Sequence, residues 1–130
     1  MAIGRFSIAE SLALTVSLRG TFDARVNCQI FRLTGLLDAF SEPTFRKVLS
    51  QHIDEGPSNA ILDLSGIDFV DSSGLGALVQ LVKKAKEANG TVQVIANPRV
   101  MQTVKLVRLE KFLSVQASVD DAIANLSTPD

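Results

Sequence analysis

The fold is decided by residues 60–96, which read AILDLSGIDFVDSSGLGALVQLVKKAKEANGTVQVIA. Residues Ala60 to Leu64 carry apolar side chains on both faces, which is typical of a central parallel strand. The apolar spacing is helical from about Ser73 to Ala88, and Asn89-Gly90 supplies a C-terminal cap. Residues Thr91 to Ala96 form the next strand. A strand, a crossover helix and a second strand predict two parallel neighbours in one sheet.

The same alternation of strands and helices continues on both sides of this unit. Upstream, Ser41 can cap a helix that has Pro43 near its start and stops at Glu55-Gly56-Pro57. Downstream, Asn97-Pro98 opens a helix that runs to about Arg108. A short strand and a final helix follow, at Phe112 to Gln116 and Val119 to Leu126.

The N-terminal part of the chain follows a different pattern. Ser11 to Arg19 alternates apolar and polar residues with a period of two, which predicts a half-buried strand at or near an edge. Gly20 to Ala24 supplies turn residues, and Arg25 to Leu33 returns as an antiparallel strand. A loop follows at residues 34–40. The apolar parity changes within the second strand, which indicates either two-sided burial or a β-bulge.

Together these patterns predict an α/β fold with a mixed sheet, in which an antiparallel N-terminal hairpin leads into parallel strand–helix units. At 130 residues the chain is expected to be one domain, 1–130, with loose ends at 1–10 and 127–130. Its 46% hydrophobic and 21% charged residues are ordinary for a globular protein. The net charge of -1 gives no bulk attraction to nucleic acid or to an anionic membrane, so we expect neither as a direct partner.

The cysteine content and the apolar runs indicate the compartment. Cys28 is the only cysteine, so an internal disulfide and a four-cysteine zinc site are excluded. The first ten residues lack the apolar core of a secretory signal, and no apolar run approaches the roughly 18 residues that span a bilayer. We therefore expect a cytoplasmic protein.

The motifs of common enzymes do not occur in this sequence. The serines of residues 71–76 lack the Gly-x-Ser-x-Gly arrangement of a nucleophile elbow, and the only histidine, His52, lies in a different helix. The chain has no Walker A motif, and Asp63, Asp68 and Asp71 do not follow EF-hand spacing. We therefore expect no enzymatic activity, no catalytic residue, no metal site and no cofactor.

Residues 71–76, Asp-Ser-Ser-Gly-Leu-Gly, contain more polar groups than one helix cap requires. In one interpretation they only cap the helix, while the glycines let it pack closely on a strand. In another interpretation the helix start is itself a substrate, because its unpaired N–H groups and positive dipole end readily accept a phosphate. The glycines would then let another protein's backbone approach closely.

Residues 31–115, from FRLTGLLD to LEKFLSV, resemble the STAS domain of bacterial anti-sigma factor antagonists. The resemblance is carried by the Asp-Ser-Ser-Gly-Leu-Gly signature, the apolar strand before it and the Asn-Pro helix start after it. In that family a partner kinase, which is also the anti-sigma factor, phosphorylates the first serine after the aspartate; here that serine is Ser72. Leu36 and Arg108 replace residues that are often glutamate and glycine in the family. The resemblance implies a partner-binding surface that consists of Asp38, Asp71, Ser72, Ser73, Gly74, Leu75 and Gly76.

The resemblance also implies a partner switch that regulates transcription. The unphosphorylated protein would bind the anti-sigma factor kinase and free a sigma factor, and phosphorylation would release it until a serine phosphatase resets it. Other functions keep the same fold: a scaffold or regulatory module of another signalling assembly, or a domain that binds a small ligand near the helix start. A transporter-associated STAS domain is a further alternative, which the lack of a membrane segment disfavours.

Overall fold

A computed structural model describes residues 9–126 of the chain. Within these residues six strands form one sheet in the order β1-β2-β3-β4-β5-β6. Strands β1 to β3 pair antiparallel, and β3 to β6 pair parallel, which confirms the predicted mixed α/β fold. In chain order the elements are β1 Glu10–Ser11, β2 Leu18–Ala24, β3 Gln29–Leu37, α1 Glu42–Glu55, β4 Ala60–Val70, α2 Ser72–Glu87, β5 Val92–Ala96, α3 Pro98–Leu106, β6 Val115–Gln116 and α4 Val119–Leu126.

The two faces of the sheet bury different helices, because successive strand residues point to opposite sides. In β4, Leu62 packs in the main core with the buried faces of α1, α2 and α3, whereas Ile61 packs on the α4 side. The α4 side is smaller and includes Cys28 and Ala122. The large core therefore holds α1 and α2 against the sheet, and these two helices carry the candidate site.

The N-terminal hairpin exists, but its predicted boundaries are wrong. The predicted strand Ser11 to Arg19 is mostly a loop between β1 and β2, in which Val16 is 90% exposed. The predicted turn Gly20 to Ala24 lies inside β2, and the chain turns instead at residues 25–28. Gly20 is explained by packing, because a Cβ there would lie 2.7 Å from Cδ2 of Leu33.

Strand β3 lies further along the chain than the predicted strand Arg25 to Leu33, and it includes part of the predicted loop at 34–40. Of the two explanations for the change of apolar parity, two-sided burial is confirmed, and the pairing of residues 29–32 with both neighbouring strands shows no bulge there. Residues 29–31 are buried in succession, which is two-sided burial. The register between β3 and β4 shifts further along, between Arg32 and Thr34 and between Gly35 and Leu36, with the extra residue in β4 each time.

Strand β4 is longer than the predicted strand Ala60 to Leu64 and continues to Val70. Its first five residues pair with β5, and the strand pairs with β3 along its whole length, from Ala60 opposite Gln29 to Val70 opposite Leu37. The exposed polar residues Ser65 and Asp68 interrupt the apolar pattern of this second half and hide it from sequence inspection. The extension carries the chain to Asp71 at the start of α2.

The helices follow the sequence prediction closely. Helix α1 ends at Glu55 as expected, and Ser41 occupies the N-cap position. Its side chain forms no cap hydrogen bond, and the hydroxyl instead donates to the Leu36 carbonyl at 2.8 Å. Asn97 does cap α3, and its Oδ1 accepts from the backbone N–H of Val100 at 2.7 Å. Helix α4 matches its predicted range, and β6 is shorter than predicted.

The predicted loose ends at 1–10 and 127–130 fall almost wholly outside the described residues, although Glu10 pairs with Phe22 at the sheet edge. Across residues 9–126, none of the helices has both the length and the apolar character needed to cross a membrane. In the same part of the chain, no three side chains of histidine, cysteine, aspartate or glutamate are grouped as metal ligands.

Candidate functional site

The candidate site lies where the adjacent strands β3 and β4 end. Leu37 and Val70 are paired partners at the carboxyl ends of these parallel strands. Asp38 follows Leu37 in the β3–α1 loop, and Asp71 follows Val70 at the start of α2. Open α/β sheets commonly place their sites at this edge, so the fold brings the two predicted aspartates into neighbouring loops.

Asp71 joins the start of α2 to the β3–α1 loop. Its Oδ1 accepts a hydrogen bond from the backbone N–H of Gly74 at 3.0 Å, which caps the helix. Its Oδ2 accepts from the backbone N–H of Ala39 at 3.0 Å, and its own N–H donates to the Leu37 carbonyl at 3.2 Å. One carboxylate therefore fixes the loop and the helix start relative to each other.

Asp38 shapes the loop from inside the domain. Its Oδ1 accepts from the backbone N–H groups of Phe40 and Ser41, each at 3.1 Å, and lies 3.2 Å from the Ser41 hydroxyl. The side chain of Ser41 is fully buried, so these bonds anchor the loop to the body of the domain. Contact of Asp38 with a partner stays a prediction; its role within the fold is to position Phe40 and the start of α1.

The two serines differ in exposure. Ser72, the first residue of α2, is exposed, whereas Ser73 is half-buried. Among residues 9–126, the backbone N–H groups of both serines lack a hydrogen-bond partner, as expected in the first turn of a helix. Together with the helix dipole, these groups make the environment of Ser72 favourable for a negative charge.

The two glycines of the signature also differ. Gly74 is buried, and a Cβ there would lie 2.4 Å from the Leu37 carbonyl oxygen, so this glycine lets α2 pack closely on β3. Leu75 is 5% exposed and belongs to the main core. Gly76 is exposed, and apart from its chain neighbours and the nearby backbone of α2 no atom of the described residues comes within 4 Å of a Cβ built there. Of the residues predicted for partner binding, Gly74 and Leu75 therefore act within the domain.

Two exposed aromatic side chains lie in the segments that adjoin the start of α2, and the sequence analysis did not predict either of them. Phe40 in the β3–α1 loop is 74% exposed, and Phe69 near the end of β4 is 50% exposed. Phe69 pairs in the sheet with the half-buried Leu36. The sequence around them carries no signal for this exposure, because Phe69 lies within β4 and Phe40 follows a mostly apolar run. Exposed aromatic residues are enriched at protein interfaces, so this edge has the character of a contact surface.

A groove between α1 and α2 begins at Ser73. Its upper part is lined by Glu42 and Arg46 from α1 and by Ser73, Gly76, Ala77 and Gln80 from α2. Arg46 Nε lies 2.6 Å from Glu42 Oε2, an ion pair of two residues one helical turn apart. The groove continues between Arg46, Ser50, Gln80, Lys83, Lys84 and Glu87. We call this surface the α1–α2 groove.

The start of α3 supports the same edge of the sheet. The Asn97 side-chain amide donates to the carbonyls of Ile67 at 2.7 Å and Ser65 at 3.1 Å. These bonds hold the second half of β4, which has no other strand beyond it on that side in the described sheet. His52, the histidine weighed as a possible base, instead packs its ring against Phe22 at a centroid distance of 4.2 Å.

Residues 21–122 match the STAS domain family, and the chain belongs to that family. A Thermotoga neapolitana protein whose name groups it with the anti-sigma factor antagonists is 24% identical over 81 residues, which are 61% of this chain and 72% of the relative.

Solved structures agree on the fold. An anti-sigma factor antagonist from Mycobacterium paratuberculosis superimposes with a TM-score of 0.78 at 21% identity, over 90% of this chain and all of that one. The antagonist SpoIIAA in its unphosphorylated form gives 0.69 at 20% identity, over 92% of this chain and 96% of that one. The phosphorylated form of the Bacillus protein gives 0.62 at 18% identity, over 92% and 99%.

Proposed function

We propose that this STAS domain is an anti-sigma factor antagonist controlled by phosphorylation of Ser72. In its unphosphorylated form it binds an anti-sigma factor that is also a serine kinase, and a sigma factor is thereby freed. The kinase transfers the γ-phosphoryl group of ATP to the Ser72 hydroxyl, and the phosphorylated domain dissociates. A serine phosphatase removes the phosphate again. The domain acts as a substrate and binding partner and needs no cofactor of its own.

The exposed Ser72 hydroxyl at the first turn of α2 is the observation that carries this proposal. A kinase must reach the oxygen that it phosphorylates, and Ser72 is open to solvent while Asp71 holds its backbone in place. The site is therefore accessible and also rigid. Asp71 already caps α2, so capping alone does not account for the exposed Ser72.

The domain should tolerate the phosphate without refolding. A phosphoserine carries about -1.5 to -2 charge at neutral pH. At Ser72 this charge would lie beside the free N–H groups of the first turn and the positive end of the helix dipole, both of which stabilise it. The negative charge of Asp71 opposes this effect, but the Asp71 oxygens are engaged with backbone N–H groups.

The same charge is sufficient to break a protein complex. Two unit charges about 4 Å apart repel by roughly 1 kcal/mol in water and about 4 kcal/mol at an effective dielectric constant near 20. Each 1.4 kcal/mol changes an affinity about tenfold. A phosphate that faces carboxylates of a partner would therefore weaken binding by orders of magnitude through local repulsion alone.

The surface around Ser72 supports a protein as the binding partner. Phe40 and Phe69 present exposed apolar area in the two segments that adjoin the start of α2, whereas the main core buries most other large apolar side chains. Aromatic residues in the centre of an interface commonly carry much of the binding energy. The names of the relatives support an anti-sigma factor as that partner.

The test is a binding and phosphorylation assay with the anti-sigma factor kinase that co-purifies with the tagged protein from its native host. We expect tight binding of the unmodified domain, release on addition of ATP, and phosphate on Ser72. Ser72→Ala should bind constitutively. Ser72→Asp should bind more weakly than the wild type but more tightly than the phosphorylated domain, because aspartate carries less charge than phosphoserine. Ser73→Ala is the matched comparison and should still be phosphorylated on Ser72 and released on addition of ATP. Recovery of a multi-protein sensor assembly without a kinase would overturn the proposal in favour of a scaffold.

A further inference from the structure

An exposed surface of apolar and cationic side chains lies where α3 ends, away from the candidate site. Of the seven large apolar side chains that are exposed among residues 9–126, three fall within residues 106–112: Leu106, Val107 and Phe112. Three exposed cationic residues lie in the same stretch: Lys105, Arg108 and Lys111. Lys86 of α2 joins them, because its Nζ lies 5.8 Å from the centre of the Phe112 ring. We call residues 105–112 together with Lys86 the Lys105–Phe112 surface.

Backbone hydrogen bonds fold this stretch into one compact turn. The N–H of Arg108 donates to the Lys105 carbonyl, and the N–H of Leu109 donates to the Val104 carbonyl, each at 3.1 Å. The N–H of Leu113 then donates to the Leu109 carbonyl at 3.0 Å. Leu113 is buried in the main core and Leu109 packs against it. The turn is therefore anchored from below, and its remaining large side chains stand in solvent.

Arg108 is unfavourable to the fold at its position. It follows the end of α3 with φ 59°, in the left-handed region where a side chain is costly and where helices usually place glycine. Its side chain is exposed and forms no ion pair with any residue from 9 to 126. The fold alone therefore does not explain an arginine here.

The Lys105–Phe112 surface is positively charged. Its four cations face one carboxylate, the half-buried Glu110, and none of the four is ion-paired within the described part of the chain. Glu87 is next to Lys86 in sequence but lines the α1–α2 groove instead, and α4 with its acidic first turn packs on the other face of the sheet. Salt screens charges beyond about 8 Å at physiological ionic strength. The net charge of -1 of the whole chain therefore does not cancel this local charge.

A hollow beside Phe112 adds room for an anionic group. Its volume is about 170 Å³, and Lys86 and Lys111 both line it. The hollow also includes Val92 at the start of β5, whereas Ser72 follows the end of the parallel strand β4. The Lys105–Phe112 surface and the proposed phosphorylation site therefore lie at opposite ends of the sheet.

We propose that the Lys105–Phe112 surface docks on an anionic phospholipid membrane. A phospholipid supplies acyl chains for the exposed apolar side chains and a phosphate for the lysines beside them. Cations next to apolar residues in the chain keep their charged ends at the level of the phosphates while the apolar side chains pass below it. A second copy of the same surface is a poor occupant, because it would bring cations against cations.

This proposal goes beyond the proposed function and does not depend on it. The sequence analysis expected no membrane partner from the charge of the whole chain, but the structure gathers four unpaired cations and three exposed apolar side chains on one surface. A domain docked in this way would keep the Ser72 end of the sheet turned away from the lipid.

The first measurement is flotation of the purified protein with phospholipid vesicles. It should float with vesicles of phosphatidylcholine and phosphatidylglycerol in equal amounts and remain behind with vesicles of phosphatidylcholine alone. High salt should weaken the binding, because part of it is electrostatic. Inorganic phosphate should compete no better than sodium chloride of the same ionic strength. Failure to float with the anionic vesicles at low salt, or displacement by phosphate alone, would overturn the proposal.

Two charge reversals locate the binding surface. A cation near an anionic membrane contributes about fivefold to binding, so Lys111→Glu, which removes one cation and adds an anion, should lower the partition coefficient roughly 25-fold. Lys83→Glu is the matched control, because it changes the net charge equally but lies in the α1–α2 groove. It should stay within about twofold of the wild type. Equal losses in the two variants would show that the membrane senses only the overall charge, and the proposed surface would be wrong.

Arg108→Gly separates membrane binding from folding. Glycine relieves the left-handed backbone, so the midpoint of urea unfolding should stay the same or rise, while vesicle binding should fall about fivefold with the lost cation. A less stable Arg108→Gly protein would show that the arginine serves the fold, which contradicts its assignment to the membrane.

Leu106→Ser tests the apolar contact. Leu106 is 77% exposed, so the change should leave the unfolding midpoint unaltered but weaken vesicle binding about tenfold. Val16→Ser, in the exposed loop before β2, is the matched control and should bind as the wild type does. If Leu106→Ser also binds normally while Lys111→Glu does not, charge alone explains the binding. An acidic protein would then fit the surface equally well, and the lipid as occupant would be wrong.

Discussion

Replacement of Asp71 by alanine should destabilise the domain by about 2 kcal/mol. The change removes the cap bond to Gly74, which is typically worth about 1 kcal/mol, and the bond to Ala39, for which we take about 1 kcal/mol because that bond is exposed to solvent. For a chain of 130 residues this loss corresponds to a fall in melting temperature of roughly 7 °C. Both bonds are 3.0 Å long, so neither is expected to be marginal.

Urea unfolding of three variants would separate the two contributions. Asp71→Asn keeps one oxygen and is an equally good cap residue, so it should lose only the bond to Ala39 and about 1 kcal/mol. Asp68→Ala is the matched control, because Asp68 is exposed and its carboxylate forms no hydrogen bond among the described residues. It should stay within about 0.5 kcal/mol of the wild type.

The reasoning would be refuted if Asp71→Ala were no less stable than Asp68→Ala. It would also be refuted if Asp71→Asn lost as much as Asp71→Ala, because the cap bond would then contribute nothing. The dependence of the unfolding free energy on urea should have the same slope in all variants, since none of them changes the surface that unfolding exposes.

The remaining predictions concern other contacts. Asn97→Ala removes the α3 cap and the bond to the Ile67 carbonyl, and should cost about 2 kcal/mol in thermal or urea unfolding. Burial raises the pKa of the Cys28 thiol, so the folded domain favours the neutral thiol. The resulting contribution to the free energy of unfolding is present below about pH 8.5 and is lost as the pH rises further. Cys28→Ala should therefore lose less unfolding free energy than the wild type as the pH is raised above this value. Phe40→Ala should cost under about 0.5 kcal/mol of stability but weaken kinase binding about tenfold or more, whereas Val26→Ser, at the fully exposed hairpin tip, should change neither.

The parallel part of the fold was predictable from the sequence because its signals are local and strong. Helix α2 combines an amphipathic run with a cap at each end, and α4 was placed at its full range. Asn97-Pro98 also signals its helix start in the sequence alone, since a cap residue followed by proline has one common structural meaning.

The hairpin boundaries could not be predicted, because the decisive contacts are distant in sequence. The alternation of Leu12, Leu14, Val16 and Leu18 is typical of a strand, yet only Leu12 and Leu18 of these are buried. Gly20 suggested a turn but is needed for the approach of Leu33 from the next strand. A glycine that serves a turn cannot be told from one that allows a tight contact by looking at the sequence alone.

At the candidate site, too, features that depend on adjacent residues were predictable from the sequence, and features that depend on tertiary packing were not. The sequence identified Asp71, Ser72 and their helix start, because the motif is contiguous. It could not distinguish the buried Gly74 from the exposed Gly76, since that distinction depends on where β3 passes α2. The exposed Phe40 and Phe69 were missed for a related reason, because exposure of an aromatic side chain depends on packing and not on its neighbours in the chain.

Phosphopeptide mass spectrometry on tagged protein from the native host, with co-purifying proteins identified in the same sample, tests the central claim most directly. We predict phosphate on Ser72 in part of the population, and a serine kinase bound only to the unphosphorylated remainder. An unmodified Ser72 across growth and stress conditions, with no kinase recovered, would contradict the switch and leave Asp71 and the serines as a helix cap.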